Sequence, residues 1–245
     1  FPTPTRAATE AKRAEVDRDG STRIGTGADM ARRPVFTPLG TRPYVREVNT
    51  EFVFHPGFSL KQKQRSVDSL HRSFLAAYPG ARMLEVSGRS PLTLGVELSA
   101  FRLMIRQGGA EYPVESVFQA SKVFADGGPF TDLLGASPRD AKRDPRLRAS
   151  GELVGFEFFS RAFPLEPRTF FYDWLYVGAL AGRPELVDEL ASYTAFTDIE
   201  FNPKRSINCQ ARSVSLFQGL RAAGAVDRAL KSADAFLRVC YDSGR

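Results

Sequence analysis

The stretch Glu111–Ala125, EYPVESVFQASKVFA, constrains this chain more than any other, because it asks for a helix with one apolar side and one reactive side. Pro113 presets the backbone for a helix start, and Glu115 suits the positive first turn. Val114, Val117, Phe118, Phe124 and Ala125 then recur at helical spacing as a stripe that must be buried. Across from it Glu115, Gln119 and Lys122 follow at intervals of four and three residues, which stacks an acid, an amide and an amine along one strip. A solvated face of mixed charge has the same pattern, so the surroundings decide which this is.

With 245 residues, 42% of them hydrophobic and 20 of them Phe, the chain can bury a large core around such a helix. Residues 1–29 are polar and lack a sustained apolar period, and are expected to form a disordered tail. The texture changes at Met30, a candidate natural start, and residues 30–245 are expected to be a single domain. Tyr44–Phe54 alternates as a strand does. Ser59 and Gln62 form a capping-box pattern that opens a helix over Leu60–Tyr78. Two short strands are expected at Arg82–Ser87 and Gly95–Ile105, and a short helix or turn at Phe130–Leu134. Ser137–Arg148 begins with a cap-like Ser-Pro pair and is dense in charge. Gly151–Phe163 is apolar without a clear period. Helices are expected from Pro167 to a Gly182 cap, from Pro184 to about Tyr193, and over Ala211–Ala223 and Ala225–Val239. Phe196–Asn208 reads as a polar loop between helices. The expected class is therefore mainly α with a small β-sheet near the front (α+β).

The formal net charge is +6. In the tail Arg6, Lys12, Arg13, Arg18 and Arg23 are balanced by Glu10, Glu15, Asp17, Asp19 and Asp29, so the excess belongs to the body. A basic body favours a polyanionic partner, nucleic acid ahead of membrane. Its clearest surface is the start of the Leu60–Tyr78 helix, where Lys61, Lys63 and Arg65 have no acid among them and are candidates for DNA phosphate contacts. No run approaches a membrane span, and the N-terminal residues lack a signal-peptide core, so a cytoplasmic setting is the default. Cys209 and Cys240 match no zinc spacing, and His55 and His71 are too few for a histidine-based metal site; neither metal nor cofactor is expected. The P-loop, the dinucleotide glycine fingerprint and the G-x-S-x-G elbow are absent. The chemistry on offer rests on Glu115, Lys122, Asp198 and Glu200. Carboxylates suit cleavage of a glycosidic bond through an oxocarbenium-like transition state, and a desolvated lysine suits attack on the anomeric carbon.

Four segments carry a resemblance: LSAF at Leu98–Phe101, VESVFQASK at Val114–Lys122, ASPRDAKRDPR at Ala136–Arg146 and FTDIEFNPKRSIN at Phe196–Asn208. In order and spacing they resemble the motifs of the NADAR (YbiA-like) superfamily, which is associated with NAD and ADP-ribose metabolism. Together they cover residues 98–208. PGFSLKQKQRSVDSLH and FTDIEFNPKRSINCQA further resemble the branch encoded beside DarT-type toxins, which attach ADP-ribose to DNA bases. The resemblance implies an antitoxin that removes ADP-ribose from guanine in DNA. Glu115 and Lys122 would be catalytic and Asp198 a further acidic participant. Ser99, Phe101, Gln119 and Asn208 would shape the ADP-ribose pocket, with Glu200 beside them. Two positions depart from the family pattern: Ala100 replaces the Asn of the LSNF form, and Phe201 stands where many relatives have Trp.

Lys122 could act as a neutral amine that forms a Schiff base, and Glu115 could move protons or hold Lys122 in place. Trp174 is either core or a stacking platform for a base of the substrate. The implied partners are ADP-ribosylated single-stranded DNA, ADP-ribose and a DarT-type toxin. Two alternatives remain open: an N-glycosidase acting on a small riboflavin-pathway metabolite, and a non-catalytic ADP-ribose or NAD reader.

Overall fold

The computed structural model describes residues 22–24 and 28–242. The tail expected over residues 1–29 lies outside that range except at Thr22–Ile24 and Ala28–Asp29, which are strand. The chain opens with β1 (Thr22–Ile24), β2 (Ala28–Pro38) and β3 (Val45–Phe54), then α1 (Leu60–Ala77), β4 (Met83–Glu85) and α2 (Thr93–Glu97). Next come β5 (Met104–Gln107), β6 (Ala110–Pro113), α3 (Val114–Ala120) and β7 (Lys122–Phe124). A 3-10 turn at Thr131–Gly135 leads to α4 (Pro138–Arg143), α5 (Arg146–Ala149), β8 (Leu153–Phe158) and β9 (Arg161–Phe163). The rest is α6 (Phe170–Ala181), α7 (Pro184–Leu190), β10 (Ala195–Thr197), α8 (Gln210–Ala222), α9 (Val226–Leu230) and α10 (Ala233–Cys240).

The main sheet joins β2 to β3 along one edge and to β1 and β10 along the other, and β10 runs parallel to β4. Its two faces are covered differently. Val35, Phe52 and Phe54 meet Val67, Leu70 and Phe74 of α1 in one cluster. Phe36, Val45 and Leu84 join Val214, Phe217 and Leu220 of α8 in the larger core. A second sheet pairs β5 with β6, and a third runs β7-β8-β9.

This corrects the expectation of a mainly α protein. Helix accounts for 42% and strand for 22%, and the strands make three sheets, so the fold is mixed α+β. The missed strands lack period-two alternation. Residues 33–37 of β2 and all of β10 are buried on both faces, and β7, β9 and β10 have three residues each. The expected strand over Gly95–Ile105 is instead α2, a turn and the start of β5. A Cβ on Gly95 would lie 2.0 Å from the Glu85 carbonyl oxygen, so this glycine is what lets α2 rest on β4. The helix expected over Ala225–Val239 breaks in two, with Ser232 capping the second half by accepting from the Ala235 N–H. Phe196–Asn208 is a loop only after its first two residues, which complete β10.

Candidate active site

The central helix is shorter than its periodicity suggests. α3 ends at Ala120, and Lys122 begins β7, paired with Phe156 of β8. Glu115, Gln119 and Lys122 are therefore not one helical strip. They nevertheless line one cleft of about 960 Å³. Every residue of α3 is buried, which excludes the solvated-face reading.

Glu115 is 6% exposed. Its backbone N–H donates to the Ala100 carbonyl at 2.9 Å, tying α3 to the turn after α2. Its Oε1 accepts from Gln119 Nε2 at 2.8 Å and pairs with Lys142 Nζ of α4 at 3.3 Å. Gln119 thus turns its amide nitrogen, the donor end of its side chain, toward Glu115. That leaves Gln119 Oε1 buried without a hydrogen-bond partner, and Asn208 Oδ1 is in the same condition. Two unmatched acceptors on the lining of one cleft suit a ligand that brings N–H or O–H donors.

Lys122 is half-buried, its Nζ 5.0 Å from the Phe118 ring centroid. Burial pushes its amine below the ordinary lysine value; Glu115 opposes that and Lys142 reinforces it. Lys142 also sits 5.6 Å from the Phe101 ring centroid. Phe118, Phe156 and Tyr172 line the cleft beside Lys122; Phe118 lies 5.5 Å from Phe156 and meets Tyr172 edge-on at 5.1 Å.

Asp198 lies just past β10, 8% exposed, its Oδ1 accepting from the Glu200 and Phe201 backbone N–H groups at 3.0 and 3.2 Å. Burial first, and the neighbouring Glu85 second, push its carboxyl well above the usual range. Glu85 has no signal in the sequence. It is 1% exposed, accepts from Ser87 Oγ at 2.6 Å, the Ile199 N–H at 2.8 Å and Thr197 Oγ1 at 2.7 Å, and is itself raised by burial. His71 Nε2 lies 2.8 Å from Thr197 Oγ1, and burial lowers that imidazole to about 4, so it is neutral near pH 7. With the threonine hydroxyl donating to Glu85, His71 is left to donate to Thr197. Glu85 thus joins the Ser87–Arg89 and Asp198–Phe201 segments, both of which line the cleft.

The other expected residues divide. Ser99 and Phe101 line the cleft, Ser99 donating its hydroxyl to the Val96 carbonyl at 2.6 Å and Phe101 being 42% exposed. Glu200 lines it too, paired with Lys63 at 3.2 Å and Arg89 at 3.4 Å. Lys63 is therefore bound to a carboxylate, while Lys61 and Arg65 are exposed. Of the two readings of Trp174 the structure favours core over stacking platform: it is not among the cleft-lining residues and lies among Phe158, Phe163 and Phe171, where large aromatics at helical spacing pack. Lys142, in the charge-dense Ser137–Arg148 segment, is the partner of Glu115. Ala100, the departure from LSNF, presents its backbone N–H to Gln210 Oε1 at 2.8 Å.

Among the described residues no group of three or more His, Cys, Asp and Glu is placed to hold a metal ion, and no helix is long and apolar enough to cross a membrane. The sequence model of a family described as DarT1-associated NADAR antitoxin matches residues 31–245. No curated protein matches the chain.

Proposed function

Since the chain belongs to the family of DarT1-associated NADAR antitoxins, we propose that it acts by hydrolysing the N-glycosidic bond between ADP-ribose and a guanine of DNA. The observation that carries this reading is the convergence of Lys122, an amine pushed toward its neutral form, and the buried Glu115 carboxylate in one cleft of about 960 Å³. That volume lies in the range of pockets that enclose nucleotide-sized ligands. The unmatched acceptors of Gln119 and Asn208 suit hydroxyl and amino donors of ribose and purine.

Two routes fit these groups. In the first, neutral Lys122 Nζ forms a bond to the anomeric carbon as the bond to guanine breaks. The departing base takes a proton from a cleft carboxyl, and the amine loses one. Ring opening gives an imine, which water hydrolyses to ADP-ribose and free lysine. In the second, water attacks the anomeric carbon directly, assisted by a carboxylate, and Lys122 orients the substrate.

Incubation with a single-stranded oligonucleotide bearing ADP-ribosyl-guanine, followed by borohydride, tests reading and route together. Free ADP-ribose with unmodified DNA is the expected outcome. Reductive trapping at Lys122 selects the first route, and turnover without trapping the second. Binding without release, or release only from a riboflavin precursor, would overturn the proposal.

A further inference from the structure

An apolar residue just before a helix N-cap often rests on an apolar fourth helical residue, fixing the way in to the helix. α1 breaks that habit. Ser59 is its N-cap and accepts from the Gln62 N–H, so Phe58 takes the preceding position and Lys63 the fourth helical one. Lys63 is turned away to Glu200, 3.2 Å distant on the cleft lining. Phe58 is left 97% exposed, the most exposed large apolar side chain among the described residues.

Its surroundings are basic. The first turn of α1 contains no acid; Lys61 stands exposed on it and Arg65 on the second turn. Arg65 and, in the second half of α1, Arg72 add to burial in holding His55 below its ordinary value. Across the Lys63–Glu200 contact the cleft wall adds Arg89, itself 3.4 Å from Glu200. Lys63, which makes that contact, lies three residues into α1, about 4.5 Å of axial rise from its start. A bare aromatic ring among unopposed cations is how sequence-tolerant sites grip single strands: bases stack on the ring and phosphates meet the cations.

Resting on the reading of the substrate as DNA, we propose that Phe58, Lys61 and Arg65 form a landing platform for the single strand outside the cleft, with a base next to the modified guanine stacked on Phe58. An unpaired apolar ring could instead serve a protein partner. The cations around it favour a polyanion.

The test measures binding of an unmodified single-stranded 12-mer by fluorescence anisotropy, and compares turnover of an ADP-ribosylated 12-mer with turnover of ADP-ribosylated guanosine. Phe58→Ala should weaken 12-mer binding by about tenfold, given the 1–3 kcal/mol that one stacked base contributes. It should slow the long substrate at low concentration and leave the guanosine substrate unchanged, and Phe58→Trp should restore binding. Lys61→Gln with Arg65→Gln should flatten the salt dependence of log affinity by about 1.4, two phosphate contacts on a single strand. Wild-type 12-mer binding and turnover by Phe58→Ala would overturn the platform, as would a loss confined to association with the toxin or a second copy. If neither substrate is cleaved, the hydrolase reading fails alone, because binding of the unmodified strand still decides the platform.

Discussion

At the scale of single residues the site turns on one carboxylate shared by two lysines. Glu115 pairs with Lys142 and, more distantly, favours the ammonium form of Lys122. Lys142 works against that form twice, as a nearby positive charge and by occupying Glu115. If neutral Lys122 is the nucleophile, turnover should climb with pH through its lowered pKa, at a pH below the ordinary lysine value of 10.5. Lys142→Gln removes a cation and frees the carboxylate, and both changes raise the Lys122 pKa. The ascending limb of kcat should therefore move to higher pH, with the plateau largely recovered; an unmoved limb would exclude this coupling. Glu115→Gln should reduce kcat about 10²–10⁴-fold if Glu115 moves protons. Lys122→Met should abolish turnover and at the same time raise Tm. The sign follows from linkage: between the lowered folded pKa and the ordinary one the unfolded chain holds more protons, so stability rises with pH across that window. Below it the folded protein bears the full burden of a half-buried ammonium, which Met removes. A lower Tm in Lys122→Met, with the same pH slope as the wild type, would refute this account.

At the scale of elements, the decisive event is the chain leaving α3 for β7 between Ala120 and Lys122, which turns the lysine toward Glu115 from a strand. Gly128 holds that exit in place. Its φ is +86, and a Cβ there would lie 2.3 Å from the Lys122 carbonyl oxygen. Gly128→Ala should therefore cost about 1–3 kcal/mol of stability. It should also lower kcat by as much as about 10²-fold with every cleft side chain still present, since a displacement near 1 Å in a reacting group has that effect. Thermal melts and kinetics on the same preparation would show whether both losses occur. The exit itself was not legible in the sequence, because VESVFQASKVF keeps helical spacing past the point where β8 captures the backbone. What could be read was local: the Ser59 cap of α1, the Ser137-Pro138 start of α4, and the apolar period of α6. What could not was set by distant partners. β2 carries Arg32, Arg33 and two prolines and is a strand only because β3 and β10 flank it. The same limit applied to the site. Glu115, Gln119 and Lys122 could be named from their spacing, whereas Glu85 lies on a three-residue strand and matters only because β10 brings Thr197 and Ile199 to it.

At the scale of the whole molecule, the cleft is lined by residues from Ser87 to Gln210, drawn from several helices, strands and the loops between them. No short segment contains enough of it to bind a nucleotide alone, so forming the cleft and folding the chain are one event. A ligand of the cleft then binds the native state and not the unfolded chain, and must stabilise the protein by mass action. At a hundred times its Kd, ADP-ribose should add about 2.7 kcal/mol. For a chain of 245 residues, where 1 kcal/mol moves Tm by about 2–4 °C, the rise should be roughly 5–10 °C. Glu115→Gln keeps the shape of the cleft and should keep most of that rise while losing turnover. Gln119→Leu removes an unmatched buried acceptor but also the amide that donates to Glu115, so the unliganded variant should lose about 1–3 kcal/mol of stability. Its ADP-ribose-dependent rise should be smaller, because the ligand donor loses its acceptor. If ADP-ribose leaves Tm unchanged at millimolar concentration in the wild type, the cleft is not an ADP-ribose site. If the rise is the same in Gln119→Leu, the ligand lies elsewhere in it.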